Sequence, residues 1–151
     1  MTFGKHFIAK FSPNFQILSC ENNQLTSLNI LNSPNFTEMN CSNNQLTTLD
    51  VSSFPNLTHL SCSNNQLTSL NLLSNPNLFR LYCSDNQLAS LDLSANTVLD
   101  RIVCLRNQLT SLDLSGNLNL TSVSCQENFL TTLDLSLNDD LYVVECDTNQ
   151  L

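Results

Sequence analysis

Seven cysteines recur at intervals of 21 residues, at positions 20, 41, 62, 83, 104, 125 and 146. A thiol can bind zinc, attack a substrate or form a disulfide, and each use needs particular neighbours. Zinc sites need ligand pairs roughly two to four residues apart, which this spacing does not supply. A buried thiol without a neighbouring histidine or cation is inert. The spacing therefore indicates a repeated structural unit and not a reactive centre.

Disulfides between the cysteines are disfavoured by the same spacing. Equivalent side chains on stacked strands lie parallel and about 4.8 Å apart, whereas the Cβ atoms of a disulfide lie about 3.8 Å apart. We therefore expect a column of buried free thiols that pack as small apolar side chains.

Other catalytic chemistry has little support in the sequence. Only His6 and His59 could act as a base near neutral pH, and neither has a Ser or Cys partner at the spacing of a known motif. Only 2 glycines occur, which excludes a Gly-rich phosphate loop. The sequence predicts no enzyme activity, no cofactor and no metal site.

The cysteines belong to a longer frame, LxxLxCxxNxL, which recurs for example at residues 57–67, 78–88 and 99–109. The second half of each repeat alternates apolar and polar residues, as at 110–117 and 131–138. A period of two is typical of strands, and about ten residues are too few for a packed helix with its connections. We therefore expect a strand on both sides of every turn, with the leucine and cysteine columns facing inward.

The frame resembles the conserved half of a leucine-rich repeat, and the two similar halves resemble the bacterial 21-residue nested (IRREKO-type) class. The resemblance implies an all-β, right-handed parallel β-solenoid of about seven 21-residue turns over residues 14–151. Residues 1–13 align as a degenerate half-repeat that would cap the core. The side chains expected in this cap are Phe3, Phe7, Phe11 and Lys5 or Lys10.

An asparagine follows each cysteine by three residues without exception. In leucine-rich repeats this asparagine bonds backbone groups at a corner, where a short amide can serve both donors and acceptors. The expected structural ladder is Asn23, Asn44, Asn65, Asn86, Asn107, Asn128 and Asn149. A second column, expected at the opposite corner, is Asn75, Asn96, Asn117 and Asn138.

Charge and hydropathy limit the classes of partner. The formal net charge is -8, which argues against nucleic acid, because phosphate binding needs clustered Lys and Arg. No run of about 18 apolar residues predicts a membrane span. The first 13 residues contain no signal-peptide core, whereas the resemblance to bacterial repeat proteins favours secretion or the cell surface.

A partner-binding surface is predicted where outward positions depart from the usual Ser and Asn. All three arginines fall in adjacent turns, and Tyr and Arg are enriched in binding hot spots. The predicted residues are His59, Arg80, Tyr82, Arg101, Val103, Leu105 and Arg106. The implied partner is a protein with an acidic surface, since a guanidinium fork matches carboxylates. The alternative is a solvated face with weak ion pairs to Glu38, Asp85 and Asp100.

The second half-repeat offers a different hypothesis, because its outward positions form regular polar columns. These columns suggest calcium bridging between carboxylates or an ice-binding face. A further alternative is a homodimer formed through an uncapped C-terminal end. The polar columns are Ser27, Thr48, Ser69, Ser90, Ser111 and Thr132, and Asn29, Asp50, Asn71, Asp92, Asp113 and Asp134.

Overall fold

The computed structural model describes residues 5–10, 12–31 and 33–151, and these residues form two parallel sheets. They contain no helix, and so none long and apolar enough to cross a membrane. The strands are β1 (Lys5–Lys10), β2 (Ile17–Ser19), β3 (Leu25–Leu31), β4 (Glu38–Asn40), β5 (His59–Ser61), β6 (Arg80–Tyr82), β7 (Arg101–Val103), β8 (Ser122–Ser124) and β9 (Val143–Glu145).

The main sheet has seven strands in the order β2-β4-β5-β6-β7-β8-β9. Every neighbouring pair is parallel with a register of 21 residues, so that Leu60 pairs with Met39 on one side and with Leu81 on the other. Each strand is three residues long. One short strand in each sequence repeat gives a parallel solenoid, which confirms the predicted fold class.

The core runs along the inside of the turns, as the leucine and cysteine columns predict. In the central turns Leu57, Leu60, Cys62 and Leu67 are all 0% exposed, and the equivalent residues of the neighbouring turns are buried as well. Burying a leucine side chain contributes about 2 kcal/mol. Because each turn repeats the set, burial along the column stabilises every turn against its neighbours.

The second half of most turns is not a strand, and the prediction of a strand on both sides was wrong there. Among the described residues, only β1 and β3 pair on that side. In the next turn the backbone N–H of Phe54 donates to Val51 O at 3.1 Å, and Asp50 Oδ1 accepts from the N–H of Ser52 at 2.9 Å. Local turns of this kind occupy the groups that a second ladder would need.

The N-terminal strand β1 covers the first turn by pairing with β3. Phe7 is partly buried and packs against the core, while Phe3 and Phe11 lie outside the described residues. The role of residues 1–13 as a cap stays a prediction.

The last turn is more exposed than the turns before it. Val144 is 44% exposed, whereas Val123 in the same column is 0% exposed. Leu151 is 59% exposed, and Cys146 is partly exposed.

Candidate functional site

The first asparagine column forms a ladder of side-chain amides that joins adjacent turns, and its members from Asn44 to Asn128 are buried. Asn107 Nδ2 donates to Cys104 O at 3.0 Å in its own turn and to Cys83 O at 3.1 Å in the preceding turn. Its Oδ1 accepts from the N–H of Leu88 at 3.0 Å. Asn44, Asn65, Asn86, Asn128 and Asn149 repeat these bonds, and Asn23 makes the bond within its own turn.

The second asparagine column is also buried and holds the opposite corner. Asn75 Nδ2 donates to Val51 O at 3.0 Å and to Phe54 O at 2.9 Å, both in the preceding turn. Asn96, Asn117 and Asn138 repeat this arrangement. The side-chain N–H groups of both columns therefore bond the backbone, whereas the Oδ1 atoms of Asn75, Asn96 and Asn138 are buried and accept no hydrogen bond from the described residues.

The cysteines are free thiols, and six of the seven are buried. Burial raises the pKa of Cys62 to about 12 from its ordinary 9.0. Burial, together with the neighbouring thiols, also raises the pKa of Cys83 and of Cys104. Since the thiolate is the nucleophile, these side chains are poor nucleophiles near neutral pH.

Strands β5, β6 and β7 bring most of the predicted binding residues onto one face. Their central residues Leu60, Leu81 and Ile102 point into the core, so the flanking residues point outward. His59, Arg80 and Arg101 pair in register as one row. Ser61, Tyr82 and Val103 form the second row. At about 4.8 Å between strands, the two arginines and Tyr82 share one small surface.

The two arginines on this face are only partly satisfied. Arg80 Nε lies 3.7 Å from Asp100 Oδ2, beyond hydrogen-bond distance, and its guanidinium lies 5.5 Å from the centre of the Phe79 ring. Within the described residues, Arg101 forms no ion pair or hydrogen bond through its side chain. The Nε atoms of both arginines are shielded from solvent and donate to nothing in this part of the chain. Asp100 itself accepts a short bond of 2.7 Å from Thr121 Oγ1.

Arg106 lies outside the strands that carry the other two arginines. It occupies the corner after β7 with a left-handed φ of 50°. Its guanidinium donates to Asp85 Oδ1 and to Glu127 Oε1, each at 3.0 Å, and these bonds raise its pKa. Asp85 and Glu127 occupy the same left-handed corner in the neighbouring turns. Leu105, partly buried, precedes Arg106 in this corner.

Beside the arginine face lies a shallow groove that the sequence interpretation missed. It has a volume of about 580 Å³ and is lined by Thr37, Asn56, Thr58, His59, Asn77, Phe79 and Val98. Phe79 is 39% exposed and Val98 is 41% exposed. The signal was present in the sequence: Phe79 replaces the threonine found at Thr58 and Thr121, and Val98 replaces the asparagine found at Asn77.

The polar columns of the second side serve mainly the local backbone. Asp92 Oδ1 and Asp113 Oδ1 accept from the N–H groups of Ser94 and Ser115 at 3.0 and 2.9 Å. Hydrogen bonds from these serines lower the pKa of each carboxyl group. Shallow grooves of about 160 to 260 Å³ lie between the turns on this side. No group of three or more His, Cys, Asp or Glu in the described part of the chain is placed to hold a metal.

Comparisons with known proteins agree with this architecture. The family model for leucine-rich repeats (2 copies) matches residues 55–95. No curated protein matches the chain in sequence. A functional domain of InlJ from Listeria monocytogenes, which includes a cysteine ladder, is 34% identical, with a TM-score of 0.72 over 90% of this chain and 35% of its own.

Two further solved structures share the fold at lower identity. The leucine-rich repeat protein LIC12759 from Leptospira interrogans is 24% identical with a TM-score of 0.78, over 90% of this chain and 44% of its own. YopM from Yersinia enterocolitica WA-314 is 24% identical with a TM-score of 0.66, over 93% of this chain and 35% of its own. This chain thus spans less than half the length of each of these proteins. It is a leucine-rich repeat protein, and its 21-residue turns agree with those of the short bacterial class.

Proposed function

We propose that this protein is a recognition module that binds a protein partner through the outward face of β5, β6 and β7. Leucine-rich repeat proteins generally mediate protein–protein interactions. The observation that carries the proposal is the pair Arg80 and Arg101, which lie side by side in register on the outward face, where Arg80 has one ion pair, with Asp100 at 3.7 Å, and Arg101 has none among the described residues. Two adjacent cations repel each other, so an anionic ligand between them is stabilising.

The chemistry of the face suggests an acidic partner. A guanidinium group matches a carboxylate through two parallel hydrogen bonds. Tyr82 and Val103 supply apolar contact in the second row, and tyrosine and arginine are enriched among residues that dominate binding energy. The net charge of -8 gives no long-range attraction for an acidic partner. Recognition therefore depends on the local fit of the two guanidinium groups.

The proposal is tested by capturing partners from a lysate of the source cells with the wild-type protein and with the double variant Arg80→Glu/Arg101→Glu. Both arginines are partly exposed, so the variant is expected to fold, and a thermal melt checks this. The proposal predicts a partner, identified by mass spectrometry, that the variant loses. A folded variant that captures the same partner with unchanged affinity would contradict it.

Other uses of the surface have weaker support. Calcium binding would need several carboxylates that converge on one ion, and no group of three or more His, Cys, Asp or Glu in the described part of the chain is placed to hold one. The exposed Ser and Thr columns are regular, but the charged aspartates interrupt an ice-binding face. Calcium-dependent melting and inhibition of ice recrystallisation test these two hypotheses. Light scattering tests the third, a homodimer through the partly exposed last turn.

A further inference from the structure

The groove beside the arginine face has apolar walls where other turns are polar. Phe79 and Val98 expose about two fifths of their surface, at 39% and 41%. Equivalent positions hold Thr58 and Asn77, which line the same groove. Exposed apolar side chains concentrated in a recess, with polar residues around them, are typical of binding sites.

The groove and the arginine pair are continuous through Phe79. The Arg80 guanidinium lies 5.5 Å from the centre of the Phe79 ring. The His59 ring meets Phe79 edge-on, with 6.2 Å between the ring centres. In an extended peptide, side chains on one face are spaced by about 6.8 Å, which is twice the rise per residue. A single short segment can therefore place one side chain in the groove and another beside Arg80.

We infer that the partner presents an extended acidic segment, which places one aromatic or large aliphatic side chain in the groove and one carboxylate on Arg80 and Arg101. The inference rests on the proposed function and deepens it. The carboxylate and the apolar side chain lie within two residues of each other in the ligand. This spacing follows from the short distance between Phe79 and Arg80.

The charges around the arginines favour a single carboxylate over a more highly charged group. Asp100 lies 3.7 Å from Arg80. Glu38 pairs in register with His59, which in turn pairs with Arg80. A phosphate with nearly two negative charges would face both of these acids, whereas the single charge of one carboxylate, together with that of Asp100, equals the charge of the two arginines.

The test is a selection of random peptides, displayed on phage, for binding to the full chain and to two variants. Phe79→Thr/Val98→Asn gives the groove the residues found at Thr58 and Asn77. Arg80→Ser/Arg101→Ser gives the strand row the residue found at Ser122. Because these residues already occupy the same columns in other turns, both variants are expected to fold, which thermal melts verify.

The inference predicts that the wild type enriches peptides with Asp or Glu within two residues of an aromatic or large aliphatic residue. Phe79→Thr/Val98→Asn should weaken such a peptide about tenfold, equivalent to about 1.4 kcal/mol, and should abolish the apolar preference while keeping the acidic one. Arg80→Ser/Arg101→Ser should abolish the acidic preference.

Two results would overturn the inference while leaving the proposed function in place. In the first, acidic peptides are enriched through the arginines with no apolar preference. In the second, an apolar preference persists in Phe79→Thr/Val98→Asn. The absence of any enriched peptide also overturns the inference. The proposed function is then tested separately, by comparing partner capture by the wild type with capture by Arg80→Glu/Arg101→Glu.

Discussion

The side-chain Nδ2 of Asn107 donates to the backbone oxygen of Cys83, 24 residues earlier, at 3.1 Å. This bond joins one turn to the preceding turn, and the same amide also bonds Cys104 O within its own turn. Each cysteine oxygen in the central turns is thus shared between two asparagines. The cysteine and asparagine columns therefore work together, because the thiol fills the core while the oxygen of the same residue fixes the corner.

Replacing Asn107 with Ala should destabilise the fold strongly. The change removes one of the two asparagine donors to each of the oxygens of Cys83 and Cys104, and it leaves the N–H of Leu88 without an acceptor in a corner where Asn107 is only 6% exposed. A buried unpaired N–H costs about 1–3 kcal/mol and each lost hydrogen bond about 1 kcal/mol, so we expect a loss of about 2–5 kcal/mol in the free energy of unfolding. Urea denaturation measures this loss.

The matched control is Gln108→Ala, one residue further along and exposed. It should change stability by less than about 0.5 kcal/mol. Equal losses for the two variants would contradict a structural role of the asparagine ladder.

Alkaline pH should destabilise the protein through its buried thiols. The pKa of Cys62 is raised from 9.0 to about 12 by burial. Between these values the unfolded chain has lost the proton and the folded chain retains it, so stability falls as pH rises. Across this pH window, each such thiol lowers the free energy of unfolding by about 1.4 kcal/mol per pH unit.

Urea denaturation between pH 8 and 10.5, compared for the wild type and Cys62→Ala, measures the effect. The variant should start from a lower stability because it leaves a small cavity, but its stability should fall less steeply with pH. Parallel pH dependences would show that ionisation of Cys62 is not coupled to unfolding.

Arg106 is predicted to lie outside the binding face. Its two ion pairs with Asp85 and Glu127 are exposed and contribute little. Asn tolerates the left-handed backbone better than Arg does, and Asn64 already occupies the equivalent corner. Arg106→Asn should therefore keep or slightly raise the midpoint of thermal unfolding and leave partner affinity within about twofold. A loss of binding as large as that of Arg80→Ser/Arg101→Ser would place Arg106 in the binding surface.

Asp113→Asn should preserve the turn that Asp113 forms. Asn71 accepts the N–H of Leu73 at 3.1 Å in the equivalent turn, so an amide can replace the carboxylate. The change also removes repulsion from Asp92 and Asp134. Because the bonds from Ser115 outweigh this repulsion and lower the pKa of Asp113, the midpoint of thermal unfolding at pH 7 should fall slightly in Asp113→Asn and further in Asp113→Ala.

At acid pH, protonation of Asp113 should lower the stability of the protein. The bonds from Ser115 lower the pKa of Asp113 below its ordinary 3.8. Its contribution to stability is therefore present above about pH 4 and lost as the carboxyl group becomes protonated below it. Calorimetry at pH 7 and pH 3 should show a smaller acid loss in Asp113→Asn than in the wild type. An equal loss would mean that Asp113 does not contribute to acid sensitivity.

The period of the repeat is what made the fold predictable. The 21-residue recurrence of Cys62 and Asn65 determines which side chains stack, and the short alternation around Leu60 predicts the strand. The second strand was wrongly predicted for most turns, because Asp50 and Asn29 both count simply as polar residues in the alternation of apolar and polar positions. Asp50 forms a local turn with Ser52, whereas Asn29 lies in a strand that β1 completes.

The candidate site was predictable only in part. The register of His59, Arg80 and Arg101 follows from the repeat alone. Spacing could not reveal that Arg106 turns into the corner, because that depends on the left-handed φ and on two carboxylates one turn away. The recess around Phe79 depends on side-chain shapes from four turns, which column patterns do not encode.

The central claim, recognition through the arginine face, is tested most directly by affinity measurements on two charge-matched variants. Arg80→Ser/Arg101→Ser and Ser69→Glu/Ser90→Glu each make the formal net charge of -8 more negative by two. The first changes β6 and β7, and the second changes exposed positions on the opposite side. With the captured partner immobilised, we predict at least about tenfold weaker binding for the arginine variant only. Equal weakening in both variants would show that overall charge, and not this face, governs binding.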